Sequence, residues 1–135
     1  MKVNWVVKTN QGAFDRVVRH LSKMTAQAAG PARSGVHCVY ETENGQQCAA
    51  GCLIKTKKQR LDLNEGGAVK VPWFYDSDLS YELVSRLQTT HDTSFYWNSA
   101  GFNHSGYKRL EEIANMFGLN TKVLDKVLAE KGIKL

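Results

Sequence analysis

The chain has 135 residues and 42% hydrophobic residues, enough for one domain with a buried core, so global disorder is excluded. Its net charge of +5 favours anionic partners such as nucleic acid, nucleotides or acidic protein patches. No apolar block approaches the roughly 20 residues of a membrane span, and Lys8, Asn10, Gln11 and Asp15 interrupt any signal-peptide pattern, so the expectation is a soluble cytoplasmic protein.

Val3, Trp5 and Val7 alternate with polar neighbours and predict a short strand with one apolar face. Asn10 reads as a helix N-cap. From Ala13 to about Ala28, Phe14, Val17, Val18, Leu21 and Met24 recur at helical spacing. Arg16, Arg19, Lys23 and Gln27 fall on the opposite face, either solvated or turned to an anion. Gly30-Pro31 is expected to end that helix, with a loop to Gly35.

The segment Val36–Ile54, VHCVYETENGQQCAAGCLI, holds all three cysteines and is the expected centre of the fold. Val36–Glu41 reads as a strand. Asn44-Gly45 is a hairpin turn, because both residue types tolerate positive φ. The return segment CAAGCLI reads as a strand that bends near Gly51, with a helical turn as the alternative, since Ala and Gly are poor strand residues. Lys55, Lys57, Lys58 and Arg60 form the densest basic run, an exposed loop that suits phosphate contact. Asn64-Glu65-Gly66-Gly67 is a turn, and Ala68–Val71 a short strand closed by Pro72.

Ser77 or Asp78 caps a helix running to about His91, with Leu79, Leu83, Val84 and Leu87 as its stripe and His91 at the stripe's edge. Asp92–Ser105 lacks periodicity but carries Phe95, Tyr96, Trp97 and Phe102. It reads as a long aromatic loop, either a binding loop around Trp97 or a plug over the core. Ser105 is expected to cap a helix to Phe117, with Gly118 at its end. Asn120 caps a last helix to Lys131, ended by Gly132. The expected class is therefore α+β: one domain over residues 1–135, three to four helices packed on a small, mainly antiparallel sheet, and a C-terminal helical hairpin.

Three constellations suggest chemistry. The pair LEEIANMFGLNTKVLDKVL resembles a helix-turn-helix: Ala114 at the close approach, Gly118 at the turn, Ile113, Leu119, Leu124 and Val127 at apolar positions. The resemblance implies that Thr121, Lys122 and Lys126 face a major groove, although Asp125 shares that face. The cysteines offer a second: Cys38, Cys48 and Cys52, with His91 or His37 as fourth ligand, would suit zinc if they converged, and otherwise are buried thiols. In the third, His91 and Asp92 would activate a cysteine nucleophile. No carboxylate pair, phosphate loop or serine elbow accompanies it, so a non-catalytic role is expected and no cofactor is required.

FDRVVRHL, the set Cys38, Tyr40 and Gly45, CAAGCLI, Glu65-Gly66, LQTTHD, Trp97 and LEEIANMFGL together resemble a family of small uncharacterised phage and prophage proteins. The resemblance implies a phage-encoded protein of the host cytoplasm and brings no activity with it; in that setting an accessory role in host takeover or against defence is expected. Where such relatives carry an acidic, proline-bearing stretch after Leu-Ile, this chain has Lys55, Thr56, Lys57 and Lys58. The resulting expectation is binding of a host protein, a nucleoprotein complex or nucleic acid through Lys55, Lys57, Lys58 and Arg60, then Lys122 and Lys126, then Trp97. The alternatives are a helix-turn-helix DNA regulator and capture of a small anionic or nucleotide ligand. The patterning leaves the oligomeric state open.

Overall fold

The structure is a computed structural model and describes residues 4–32, 35–38, 40–66 and 79–135. The predicted 68–71 strand and the Ser77 and Asp78 caps lie outside the described residues. Among the described residues the order is α1 (Asn10–Lys23), β1 (Ala29–Ala32), β2 (Gly35–Cys38), α2 (Lys57–Gly66), α3 (Tyr81–Asp92), β3 (Trp97–Asn98), β4 (Gly101–Phe102), α4 (His104–Met116) and α5 (Lys122–Lys131). Single 3-10 turns cover Gly51–Leu53 and Ser94–Tyr96. The fold is α+β, with five described helices where three to four were expected, and none is long and apolar enough to cross a membrane.

The helices bury one stripe each. α1 turns Phe14, Val17, Val18 and Leu21 inward, α3 Leu83, Val84 and Leu87, α4 Leu110, Ile113 and Ala114, and α5 Leu124, Val127 and Leu128. α5 lies against α1, and α3 packs on both α1 and α4. Both C-terminal helices end in a Schellman motif, in which two N–H groups beyond the helix reach back to its last free carbonyls. Leu119 N bonds Ala114 O at 2.9 Å and Gly118 N bonds Asn115 O at 3.3 Å; Ile133 and Gly132 repeat this on Leu128 and Ala129. Gly118 and Gly132 have φ of +64° and +67°, a region costly for residues with a Cβ. The expected stops at both glycines are thus in place.

Several boundaries differ from expectation. Thr9, not Asn10, caps α1, its hydroxyl accepting from Gly12 N at 3.0 Å; Asn10 instead accepts from Ser80 N, at the cap of α3. α1 stops at Lys23 rather than near Ala28: Met24 is already extended, and the Ala28 N–H bonds the His91 ring at 3.0 Å instead of a helix carbonyl. Gly30-Pro31 belongs to β1, which pairs antiparallel with β2 in the register Gly30↔His37 and Pro31↔Val36. Val3 of the predicted first strand lies outside the described residues; its described part pairs antiparallel with the end of the cysteine segment through the Trp5–Ile54 bridge, with Val6 N bonding Leu53 O at 2.9 Å and Lys55 N bonding Asn4 O at 2.8 Å. Asn103 rather than Ser105 caps α4, and Thr121 rather than Asn120 is the cap position of α5.

The CAAGCLI segment is fully buried and forms a helical turn, the alternative reading, rather than a strand. Cys52 N bonds Cys48 O, Leu53 N bonds Ala50 O and Ile54 N bonds Gly51 O, at 3.0 to 3.1 Å. Its small residues let the backbone run against Tyr40, and a Cβ on Gly51 would collide with the Tyr40 carbonyl oxygen. The hairpin turn before it is a three-residue loop. Gly45 N bonds Thr42 O at 2.9 Å, Thr42 N bonds Gln46 O at 2.8 Å, and Gly45 alone carries positive φ, +83°. This is a type I turn closed by a left-handed glycine, rather than the primed turn that Asn44-Gly45 suggested.

Candidate functional site

The basic run does not form an exposed loop. Lys57, Lys58 and Arg60 lie in the first turn of α2. Arg60 is nearly buried, and its Nε donates to Glu41 Oε1 at 2.8 Å while its NH1 donates to Ile54 O at 2.6 Å. Burial pushes the Glu41 carboxyl up. The hydrogen bonds from Arg60 and Gln47, with the charges of Arg60 and Lys57, more than offset this and hold it below the usual carboxylate range. Asn64, on the same helix, donates to Glu41 O at 2.6 Å and accepts from Tyr40 N at 2.7 Å. Arg60 is therefore a brace between α2 and the cysteine segment. Lys57 sits 3.6 Å from Glu41 Oε2 and Lys58 pairs with Asp62 at 3.0 Å, both at the surface, while Lys55 is exposed.

The cysteine and histidine residues are placed for structure. Cys48 and Cys52 are free and buried. Cys48 Sγ accepts from Gly51 N at 3.2 Å, and the Cys52 thiol donates to Ala49 O at 3.1 Å. Burial pushes the Cys48 thiol far up and that of Cys52 to about 12, so both are thiols rather than nucleophilic thiolates at neutral pH. His91 is fully buried and both its ring nitrogens are engaged. Nε2 accepts from Ala28 N, so the proton sits on Nδ1, which donates to Asp92 Oδ1 at 2.7 Å. Asp92 also accepts from Gln88 Nε2 at 2.8 Å, and Gln88 Oε1 accepts from Ala50 N at 2.8 Å. Among the described residues no three His, Cys, Asp or Glu side chains are placed to hold a metal ion, and the side chain of Cys38 lies outside that description.

Trp97 is half-buried and completes this knot. Its indole N–H donates to His91 O at 2.8 Å, and its ring meets His91 edge-on at 5.6 Å and Phe102 at 5.2 Å. Phe102 in turn meets Tyr107 at 5.0 Å. The aromatic segment is thus a short turn and a two-residue-per-strand ladder, most of whose aromatics plug the core, in keeping with the plug reading. The outward-facing aromatic is Phe95, 71% exposed, which sequence reading did not separate from its neighbours. Lys122 and Lys126 are exposed on α5, and Asp125 on the same helix accepts from the Thr121 hydroxyl at 3.1 Å.

The arrangement best suited to hold a ligand lies on α1. At about 100° per residue, Arg16, Arg19, His20 and Lys23 share one arc of that helix. With Val7, Gly12, Asp15, Gln47 and Cys52 they line a cleft of about 440 Å³. Arg16 Nε donates to Cys52 O at 2.7 Å, which fixes the guanidinium at the cleft wall and leaves its two terminal nitrogens without a partner among the described residues. Neither Arg19 nor Lys23 has a carboxylate within ion-pair distance among the described residues. His20 Nε2 donates to Gln47 O at 2.5 Å. Burial lowers the His20 pKa; the Gln47 carbonyl opposes this, and the nearby charges of Arg16 and Lys23 add to it. One carboxylate, Asp15, borders the cleft and accepts from Gln11 at 2.9 Å. The cleft joins an α1 face whose basic pattern was legible to a coil whose position was not.

No family model, curated protein or solved structure matches the chain.

Proposed function

We propose that this protein is a non-catalytic binding protein for a phosphoester partner, nucleic acid foremost, held at the basic cleft of α1. The observation that carries the reading is the set Arg16, Arg19 and Lys23: three cations on one helix face, uncommitted to carboxylates among the described residues, beside a cleft of about 440 Å³. Cations without a carboxylate partner cost little to bring to a phosphate, whereas Arg60 would have to abandon Glu41. Contact centred on the basic run accordingly reduces to Lys55, Lys57 and Lys58 at the surface. The likeness of CAAGCLI, LQTTHD and LEEIANMFGL to small phage and prophage proteins supports a host-cytoplasmic setting, in which such binding would modulate host metabolism or defence.

A nucleic-acid strand and a free nucleotide share the phosphoester chemistry, and titration separates them. A labelled oligonucleotide and ATP are each titrated against the chain by anisotropy and calorimetry over a salt series. Nucleic-acid binding gives a steep salt slope, reduced by the triple variant Arg16→Glu, Arg19→Glu, Lys23→Glu. Binding of ATP alone identifies the nucleotide as the partner. Unchanged affinity in the triple variant sinks the cleft reading. Capture of a nuclease-resistant host protein, with no phosphoester binding, points to a protein partner instead.

A second reading has its own support in the well-formed Gly118 turn with Lys122 and Lys126 exposed beyond it. As a helix-turn-helix regulator, the protein would bind duplex DNA in a manner lost in Lys122→Glu, Lys126→Glu and kept in the α1 variant.

A further inference from the structure

We infer that the groove between the Ser94–Tyr96 turn and α4 is a stacking subsite for an unpaired base of a single-stranded nucleic acid, with Phe95 as the platform. The inference rests on the phosphoester reading above and adds a strand preference to it. Phe95 is the most exposed large apolar side chain described, at 71%. Its neighbours are turned in: Tyr96 and Trp97 are half-buried and Phe102 is buried.

The exposed ring stands on a fixed backbone. Tyr96 N bonds Thr93 O at 3.0 Å and Asn103 N bonds Tyr96 O at 2.8 Å. The Asn103 amide donates to Phe95 O at 2.8 Å, and its carbonyl oxygen accepts from Gly106 N at 3.0 Å as the cap of α4. One side chain therefore ties the Phe95 backbone to the start of a 13-residue helix. The Tyr96 ring supports Phe95 edge-on at 5.8 Å. A partner that covers this ring has little backbone left to order.

The groove beside it, about 390 Å³, is lined by Phe95, Tyr96, His104, Ser105, Lys108 and Arg109, with Glu112 at its border. Lys108 pairs with Glu111 at 3.0 Å and Arg109 with Glu112 at 3.1 Å. Both are surface pairs between residues three apart, weak and screened by salt, so a phosphate can take over either cation. An aromatic face flanked by two cations, next to His104 whose Nε2 donates to Lys134 O at 2.8 Å, matches a base with its adjoining phosphate. A duplex does not offer that match, because its base faces are already stacked on each other. The geometry therefore selects an unpaired strand.

The test uses the full chain, with a labelled oligothymidylate of about 12 nucleotides and a duplex of equal length at one salt concentration. The strand is expected to bind more tightly than the duplex. Phe95→Ala should weaken strand binding about tenfold and leave duplex binding unchanged, while Phe95→Trp keeps the strand preference. Thermal melting equal to wild type confirms that each variant is folded, as expected for an outward ring. Equal affinity for strand and duplex, unchanged strand binding in Phe95→Ala, or no strand binding at all overturns the inference. Sensitivity to the α1 charge reversal without sensitivity to Phe95 leaves the cleft reading standing and removes the platform. Sensitivity to Phe95 alone does the reverse.

Discussion

The amide of Ala28 and the imidazole Nε2 of His91, 63 residues apart, share a buried 3.0 Å hydrogen bond. It sets the histidine tautomer and joins the segment that leaves α1 to the end of α3. The same residue's carbonyl accepts from Trp97 Nε1 at 2.8 Å and Gln27 Nε2 at 3.0 Å. His91 is thus the junction of three segments, which explains a histidine at full burial. Its substitution His91→Ala should destabilise the protein by about 3 kcal/mol, combining a cavity with the orphaned Ala28 N–H. Urea denaturation followed by tryptophan fluorescence measures this; a loss below about 1 kcal/mol would show that the junction is dispensable.

Glu41 and Arg60 form a largely buried ion pair, and removing one partner leaves the other charge uncompensated. Glu41→Ala is expected to cost about 3 kcal/mol, and the double replacement Glu41→Ala, Arg60→Ala less than the sum of the singles. The folded-state pKa of Glu41 is lowered. Its contribution is therefore complete above the unfolded carboxyl value, about 4.3, and is lost as pH falls through the lower folded value. Wild-type stability should drop across that acid window more than that of Glu41→Gln.

His20 lines the cleft, and its pKa is lowered chiefly by burial, so it is neutral at neutral pH. A lowered histidine pKa gives stability that is present above the unfolded value, about 6.5, and declines as pH falls through the folded one. Protonation also adds a positive charge among Arg16, Arg19 and Lys23. Oligonucleotide affinity should therefore rise as pH falls through the lowered folded value, while thermal stability falls. His20→Gln should flatten both trends. Diester phosphates keep their charge throughout this range, so the protein alone titrates.

Two glycines should respond to alanine for different reasons. A Cβ on Gly51 meets the Tyr40 carbonyl, so Gly51→Ala should cost about 3 kcal/mol through overpacking. Gly118 has open space around it but φ of +64°, so Gly118→Ala should cost only about 1 kcal/mol of backbone strain. Thermal melting of the two variants ranks them, and the reverse order would contradict the packing at Gly51.

The sequence by itself determined what depends on near neighbours. The stripes of α1, α3, α4 and α5 follow from apolar spacing along each helix, and the stops at Gly118 and Gly132 from left-handed glycines. The basic face of α1 was legible for the same reason, and so was a turn at Asn44-Gly45, though not its type. Tertiary structure decided the rest, because the deciding partners lie far along the chain. Ala28 left α1 for a histidine on α3, and Asn10 surrendered its capping role to Thr9 while its own side chain reached Ser80. The run from Lys57 to Arg60 became a helix braced on Glu41, and the helical turn of CAAGCLI was seated against Tyr40, where there is no room for a Cβ at Gly51. The cleft needed both kinds of information. Periodicity puts Arg16, Arg19, His20 and Lys23 on one arc, but only packing sets Gln47 and Cys52 opposite them. A local pattern fixes which way a side chain faces; what it meets there depends on contacts between distant residues, which no short stretch encodes.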